Sequence, residues 1–509
     1  MNLLSLSAAH RDAVNRSRRI IVQYDTEGVM DPSVKRIDDW LEYGFAYADE
    51  AGSQIDAIYF DSGEVCPVSP LYPEPCARAR RWFEAGVDWP AIFVEQAHRR
   101  GLEAFCHHRI AEVDIEEQGL AMTEMNPVKA AHPDWVVRTW WWQGLWNLAV
   151  PEVRQAKVET IRDLAQRYDF DGFQIDFARH TPILPMGRQW ELRECVTDLM
   201  RSVRRVLLEI AGRRGRPILL SAKVPRNFMN CRIDGFDVER WVCEGLVDML
   251  TLGSRSFDVD VAGYRAAFGD AVKLYPCIDD HHATDGYRYP PIEVFRGVAT
   301  NWLAQGADGV MTFNWACAPP DVLTSRGLHP GPLSERQSYH EFGRLETMAG
   351  KDKVFPVERR GGYPWGEGAF NRNADAQLPA ELPYDGRACP VRIHIGEIGG
   401  GMTLRLSVSN GEAGDRIAAE LNGRPLENAA YDAEWKDAQI PAPGQPLWAS
   451  GGPGDYQVDP KQKLLRVDFP LDLAFVKPGV NYLAISVGHQ VPHCCRQLYL
   501  EKAEVHLRH

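Results

Sequence analysis

Along the first two thirds of the chain, short runs that are apolar on both faces alternate with stretches whose apolar residues recur at helical spacing. The runs "RIIVQYD" (19–25), "IDAIYFDSG" (55–63), "LEAFCHHR" (102–109), "DGFQIDF" (171–177), "PILLSAKVP" (217–225), "VDMLTLG" (247–253), "KLYPCIDD" (273–280) and "DGVMTFNW" (308–315) read as strands. Between them lie helical patterns such as "VRQAKVETIRDLAQRY", "ELRECVTDLMRSVRRVLLEIAGRRG" and "PIEVFRGVATNWLAQG". Strands apolar on both faces and separated by helices pair in parallel, and eight such units predict a closed (β/α)8 TIM barrel of the α/β class. An open doubly wound sheet would carry a glycine-rich phosphate turn after its first strand, and "QYDTEGVMDP" has no G-x-G-x-x-G.

After about residue 350 the pattern changes. Residues 351–388 are rich in Gly, Pro and Asn and read as a linker packed on a barrel of residues 1–350. From 389 to 509 the period falls to two, in "VRIHIGEI", "GMTLRLSVS", "KLLRVDFPL" and "NYLAISVGH", with an Asn-Gly hairpin signal in "ELNGRPL". This predicts an antiparallel β-sandwich of the jelly-roll kind as an accessory domain.

Composition narrows the partners. A net charge of −13 argues against nucleic acid, and no run of about 18 apolar residues predicts a membrane span. The 11 cysteines are odd in number and scattered, which predicts reduced thiols and a cytoplasmic setting. No cofactor motif and no metal-ligand spacing stands out, so neither is expected. Self-association into a homo-oligomer is compatible with the chain.

The segment "YDFDGFQIDFARHTP" (168–182) raises the chemical question, because a buried unpaired carboxylate costs several kcal/mol. Three strands open with Asp and a small residue (Asp56, Asp171, Asp308), at the barrel bottom, where turn chemistry and bonds to backbone amides are expected. Polar residues that close strands fall at the top, where barrel active sites lie. There the sequence collects Asp25, Asp61, Glu64, His107, His108, Arg109, Gln174, Asp176, Arg179, His180, Lys223, Arg226, Asp279, Asp280, Asn314 and Trp315. Two carboxylates across a cleft suit glycosidic bond cleavage, one protonated to release the leaving oxygen and one ionised. Asp176 is the first candidate and Asp279 or Asp280 its partner; only one of two adjacent residues points inward. Glu64 and Glu244 are weaker alternatives. For Asp176 the competing assignment is an ion pair with Arg179 or His180, and for "DDHH" a solvated loop or helix cap. Trp140, Trp141, Trp142 and Trp146 either offer flat faces to sugar rings or pack a lid on the barrel.

Several segments together resemble one family. "RGLEAFCHHR", "HPDWVV", "LWNLAVPEVRQAKVETIRDLAQRYDFDGFQIDFAR" and "SAKVPRN" are similar to the family-10-like glycosyl hydrolases, bacterial (β/α)8 proteins, over most of residues 19–345. The resemblance implies carbohydrate-active chemistry, with Asp176 on the family's strand-four Asp. "DGFQIDFARH" is also similar to the alpha-amylase strand-four motif, in which that Asp is the nucleophile. Gln174 stands where that motif has Arg, and no Glu closes the fifth strand, so the amylase pattern is broken. "ELNGRPL" and "VKPGVNYLAISVGH" resemble galactose-binding-like jelly rolls.

The expected function is therefore a glycosidase acting on a poly- or oligosaccharide, with Asp176 as nucleophile or stabiliser. Arg109, Arg179, Arg226 and Lys223 hint at an acidic or sulfated sugar. A non-catalytic glycan-binding barrel and a metal-dependent hydrolase or lyase built on the His/Asp cluster are the alternatives.

Overall fold

The computed structural model describes residues 6–24, 34–61, 69–72, 77–111, 126–139, 143–254, 256–279, 290–313, 334–360, 375–437, 440, 461–492 and 496–509. Eight parallel strands close into a barrel: β1 (Ile20–Tyr24), β2 (Ile55–Asp61), β3 (Glu103–Arg109), β4 (Gly172–Asp176), β5 (Leu219–Val224), β6 (Met249–Leu252), β7 (Lys273–Asp279) and β8 (Val310–Phe313). Each strand pairs with its sequence neighbours, and β8 returns to β1. The alternation of strand and helix legible in the chain is thus the architecture of a (β/α)8 barrel.

The helices form where apolar residues repeat every three or four positions. Helix α1 (Pro151–Arg167) starts on a proline and buries Val153, Ala156, Ile161, Leu164 and Ala165 toward the strands. Helix α2 (Arg193–Arg214) buries Val196, Leu199, Met200, Val203, Leu207 and Ile210. It stops at Gly215, whose φ of 75° is the left-handed cap that glycine adopts without strain.

The barrel bottom is tied by a device repeated four times. Asp56, Asp171, Asp248 and Asp308 open the even-numbered strands, and each accepts the backbone N–H of the odd strand before it: Arg19 (2.7 Å), Ala104 (2.9 Å), Leu220 (2.8 Å) and Leu274 (2.9 Å). Each also takes an arginine, respectively Arg19, Arg216, Arg204 and Arg265. Asp171 is therefore structural. Burial alone would raise its pKa, but His98, the Ala104 amide and Arg216 hold it below the ordinary value. Asp248, absent from the sequence pattern of three, completes the set. Beneath these strands the short helix Ala8–Val14 places Ala13 in the barrel's interior cluster and His10 on Asp248 at 3.0 Å.

Two antiparallel sheets follow and share one core, with Val391, Ile393, Leu404, Leu406, Leu483 and Val505 among its residues. The segment expected as a linker also contributes strands. Its strands β9 (Lys353–Pro356) and β10 (Ala380–Leu382) both pair antiparallel with the strand Leu498–Arg508 near the end of the chain. Four residues of strand beside a Gly/Pro-rich run are too short to show a period, so pairing partners far along the chain decide them. Strand β9 also joins the two cores: Val354 belongs to the barrel's and Phe355 to the sandwich's. The helix Ile292–Ala304 approaches it so closely that a Cβ on Gly297 would lie 1.9 Å from the Val354 carbonyl oxygen.

Candidate active site

Strand alternation and register assign the inward side chains. The floor is apolar, from Ile21, Ala57, Tyr59, Phe105, Leu219, Met249, Tyr275 and Met311. Two positions further along the strands the interior turns polar, with Gln23, His107, Gln174, Ser221 and Thr251, all buried. Above them β2, β3, β4 and β7 end on Asp61, Arg109, Asp176 and Asp279, and β5 carries Lys223 one residue before its end. In register Asp61 lies beside His107, Arg109 beside Asp176, Asp176 beside Lys223, and Asp279 beside Phe313.

Asp176 is fully buried. Its Oδ1 accepts the backbone N–H groups of Ala178 and Arg179, each at 2.9 Å, an Asx turn that fixes the carboxylate as the chain leaves the strand. Its Oδ2 accepts no hydrogen bond from any described residue. Among the described residues the nearest basic nitrogens are His107 Nε2 at 3.4 Å and Lys223 Nζ at 3.8 Å. Burial alone would push the carboxyl pKa up; the Lys223 charge, the neighbouring His107 ring and the Arg179 amide together hold it well below the usual carboxylate range. Asp176 is ionised in the folded protein at any pH near neutrality, so it cannot serve as the proton donor of an acid–base pair.

Lys223 crosses the barrel from β5. Its ammonium donates to Gln23 Oε1 at 2.9 Å and lies 4.1 Å from the centroid of the Phe313 ring. Cys277, on β7, is a neutral thiol beside it, pushed up to about 11 by burial. Arg179 stacks over the same Phe313 ring at 4.9 Å. His107 faces Gln174 Oε1 through Nδ1 at 2.8 Å and Gln23 Nε2 through Nε2 at 3.1 Å. Gln174 Nε2 donates to Ser221 (3.1 Å) and Thr251 (2.8 Å). His180, just past the strand, holds a φ of 62°, a left-handed backbone that a non-glycine residue adopts at a cost of about 1 kcal/mol or more.

The structure brings Asp61, His107, Arg109, Gln174, Asp176, Lys223 and Asp279 to one end of the barrel interior. Of the adjacent pair on β7, Asp279 shares the inward parity of Tyr275 and Cys277. Two of the expected residues make contacts of another kind. His108 has the opposite parity and lies in the strand–helix layer, where burial and Lys157 of α1 depress its pKa. Arg226 is buried against Glu358 and Asp375 of the C-terminal part, so it is committed to holding the two parts together. Arg109 is likewise committed, to Asp61 at 2.7 Å. Glu244 lies away from this end, on the surface with Arg201 and Arg240, which draw it down to about 2. Trp146 is fully buried, its Nε1 donating to the Tyr72 hydroxyl at 3.1 Å. Asp25, Glu64, Trp141, Asp280, Asn314 and Trp315 lie outside the described residues, as do Trp140, Trp142, His281 and His282.

Sequence reasoning passed over Gln23, Ser221, Thr251, Cys277 and Phe313. Gln23 carried a usable signal, a lone amide inside "RIIVQYD", the same anomaly that Gln174 presents in β4. Among the described residues no group of three or more His, Cys, Asp and Glu side chains is placed to hold a metal ion.

No protein-family model matches the chain, and no curated protein matches it. Solved structures that it resembles include alpha-L-fucosidase isoenzyme 2 from Paenibacillus thiaminolyticus, at 14% identity and a TM-score of 0.40, covering 66% of this chain and 49% of that one. The PgaB (BpsB) glycoside hydrolase domain from Bordetella bronchiseptica is 12% identical, covering 65% of this chain and 99% of that one, with a TM-score of 0.40. A class V chitinase from Nicotiana tobaccum is 11% identical, covering 64% of this chain and 99% of that one, with a TM-score of 0.38. The chain thus spans about half of the fucosidase, 49% of its length. Likenesses at this level say nothing of what this chain does, and the barrel rests on its own strand pairing.

Proposed function

We propose that the chain is a glycoside hydrolase whose reaction centre is built on Asp176. One observation carries the reading: at the C-terminal end of a barrel strand stands an ionised carboxylate with one oxygen saturated by backbone amides and the other taking no hydrogen bond from the described residues. Such a group is suited to attack an anomeric carbon or to accept a proton from water, and the acid must be a second carboxyl. Asp279, inward on β7, and its neighbour Asp280 are the residues to test for it. A spacing of about 5 Å between the two carboxyls goes with retention of configuration and a wider one with inversion. With Arg109, Arg226 and Lys223 each facing a protein carboxylate, an uncharged sugar is the favoured substrate class.

The complete burial of Asp176 favours a second reading, in which the network is a structural part of a barrel that binds glycan without cleaving it. A panel of aryl glycosides and polysaccharides separates the two. Under the first reading at least one is hydrolysed, and Asp176→Asn lowers turnover by about a thousandfold or more while binding survives. Glycan binding with no turnover in the unaltered protein establishes the second.

A further inference from the structure

The hydrogen bonds around His107 run in one direction. A lysine ammonium only donates, so the group that Gln23 turns to Lys223 must be its carbonyl oxygen. Its amide nitrogen then faces His107 Nε2 at 3.1 Å and donates to it. On the far side, Gln174 gives both amide protons to Ser221 and Thr251, which leaves Oε1 to accept from His107 Nδ1 at 2.8 Å. A proton on Nδ1 and a lone pair on Nε2 describe a neutral imidazole. The groups that face this centre are Gln23 on β1, Asp61 on β2, Gln174 and Asp176 on β4, Lys223 on β5, Cys277 on β7 and Phe313 on β8.

We infer that Gln23 and Lys223 are positioning residues that hold His107 in its neutral Nδ1–H form, so that Asp176 is kept ionised by a charge 3.8 Å away while its Oδ2 takes no hydrogen bond from the His107 ring or any other described residue. An imidazolium at 3.4 Å would instead donate to that oxygen and cover the lone pair that the reaction needs. The division of labour is charge from Lys223, geometry from the Ala178 and Arg179 amides, and exclusion of a competing donor by Gln23. The functional meaning rests on the reading of Asp176 as the reacting carboxylate; the protonation state of His107 does not.

The test is 15N NMR of the whole protein labelled at histidine, with His107→Gln identifying the His107 signals. At pH 7 the unaltered protein should show one protonated and one unprotonated ring nitrogen at His107, with the proton on Nδ1. Gln23→Glu places an acceptor for both Lys223 and Nε2–H, and should convert His107 to the imidazolium. Gln23→Met, which removes the amide donor, is the second variant should Gln23→Glu not fold, and should let a proton on His107 Nε2 donate to Asp176 Oδ2. An imidazolium at pH 7 in the unaltered protein, or a neutral His107 in Gln23→Glu, overturns the inference. If the shifts behave as stated and no glycoside is cleaved, the inference stands and the glycosidase reading falls. If hydrolysis is found, Gln23→Glu should lower kcat at least tenfold with KM within about twofold, because the defect lies in the reacting group.

Discussion

Replacing Asp248 by Asn should be among the most damaging single changes in the barrel. This carboxylate accepts Arg204 at 2.7 and 2.8 Å, the Leu220 amide at 2.8 Å and His10 Nε2 at 3.0 Å. Arg204 is 0% exposed, and Asp248 and His10 are each 3% exposed. At an effective dielectric of about 20 the Arg204 pair alone is worth roughly 6 kcal/mol of Coulomb energy, from which the carboxylate's own desolvation must be subtracted. The net loss on removing one partner of such a pair is about 3–5 kcal/mol, because the guanidinium stays buried without its counter-charge. Removing Arg204 as well, as Arg204→Met, should recover a good part of it, a coupling of about 2 kcal/mol or more. The assay is urea unfolding followed by tryptophan fluorescence. It should be read as the shift of the barrel's own transition, since a 509-residue chain with two cores need not unfold in one step. A cost below about 1 kcal/mol for Asp248→Asn, or simple additivity in the double variant, would refute the view that these four aspartates lock the barrel bottom.

Two further outcomes follow from the same coordinates. Asp171, Asp176 and Asp248 all have folded pKa values below the unfolded one, Asp248 at about 2, so the stability they lend is full above pH about 4 and drains as the pH falls toward 2. The unfolding free energy, measured against pH, should drop in that window, and Asp248→Asn should flatten the drop by about 2 kcal/mol. Gly297→Ala forces a methyl against the Val354 carbonyl, which stands 1.9 Å from where that Cβ must lie, and should cost about 1–3 kcal/mol in docking strand β9 on the barrel. Calorimetry should then show the barrel and sandwich transitions drawing apart; an unchanged single profile would count against β9 as the joint.

Much of the fold was legible because both periods are local. Eight two-face-apolar runs separated by helical repeats leave a closed parallel barrel as the way to bury every strand, and "DGFQIDF" announced its carboxylate by interrupting such a run. Parity within a strand is also local, which is why Gln174 and Asp176 could be placed on one face before any pairing was known. What stayed hidden depends on register between strands distant in sequence. That Gln23 meets Lys223, 200 residues away, follows from barrel closure and from nothing near either residue. His108 could not be sent to the helix layer until β3 was known to turn His107 inward, nor could Arg226 be withdrawn from the mouth before Glu358 was seen to bury against it. Where a charge stands in an apolar strand can be read along the chain; what surrounds that charge is set by the packing of distant strands. A pKa, a tautomer and a bare lone pair are set by atoms within a few ångströms, and here the strands that bring those atoms together lie up to 200 residues apart.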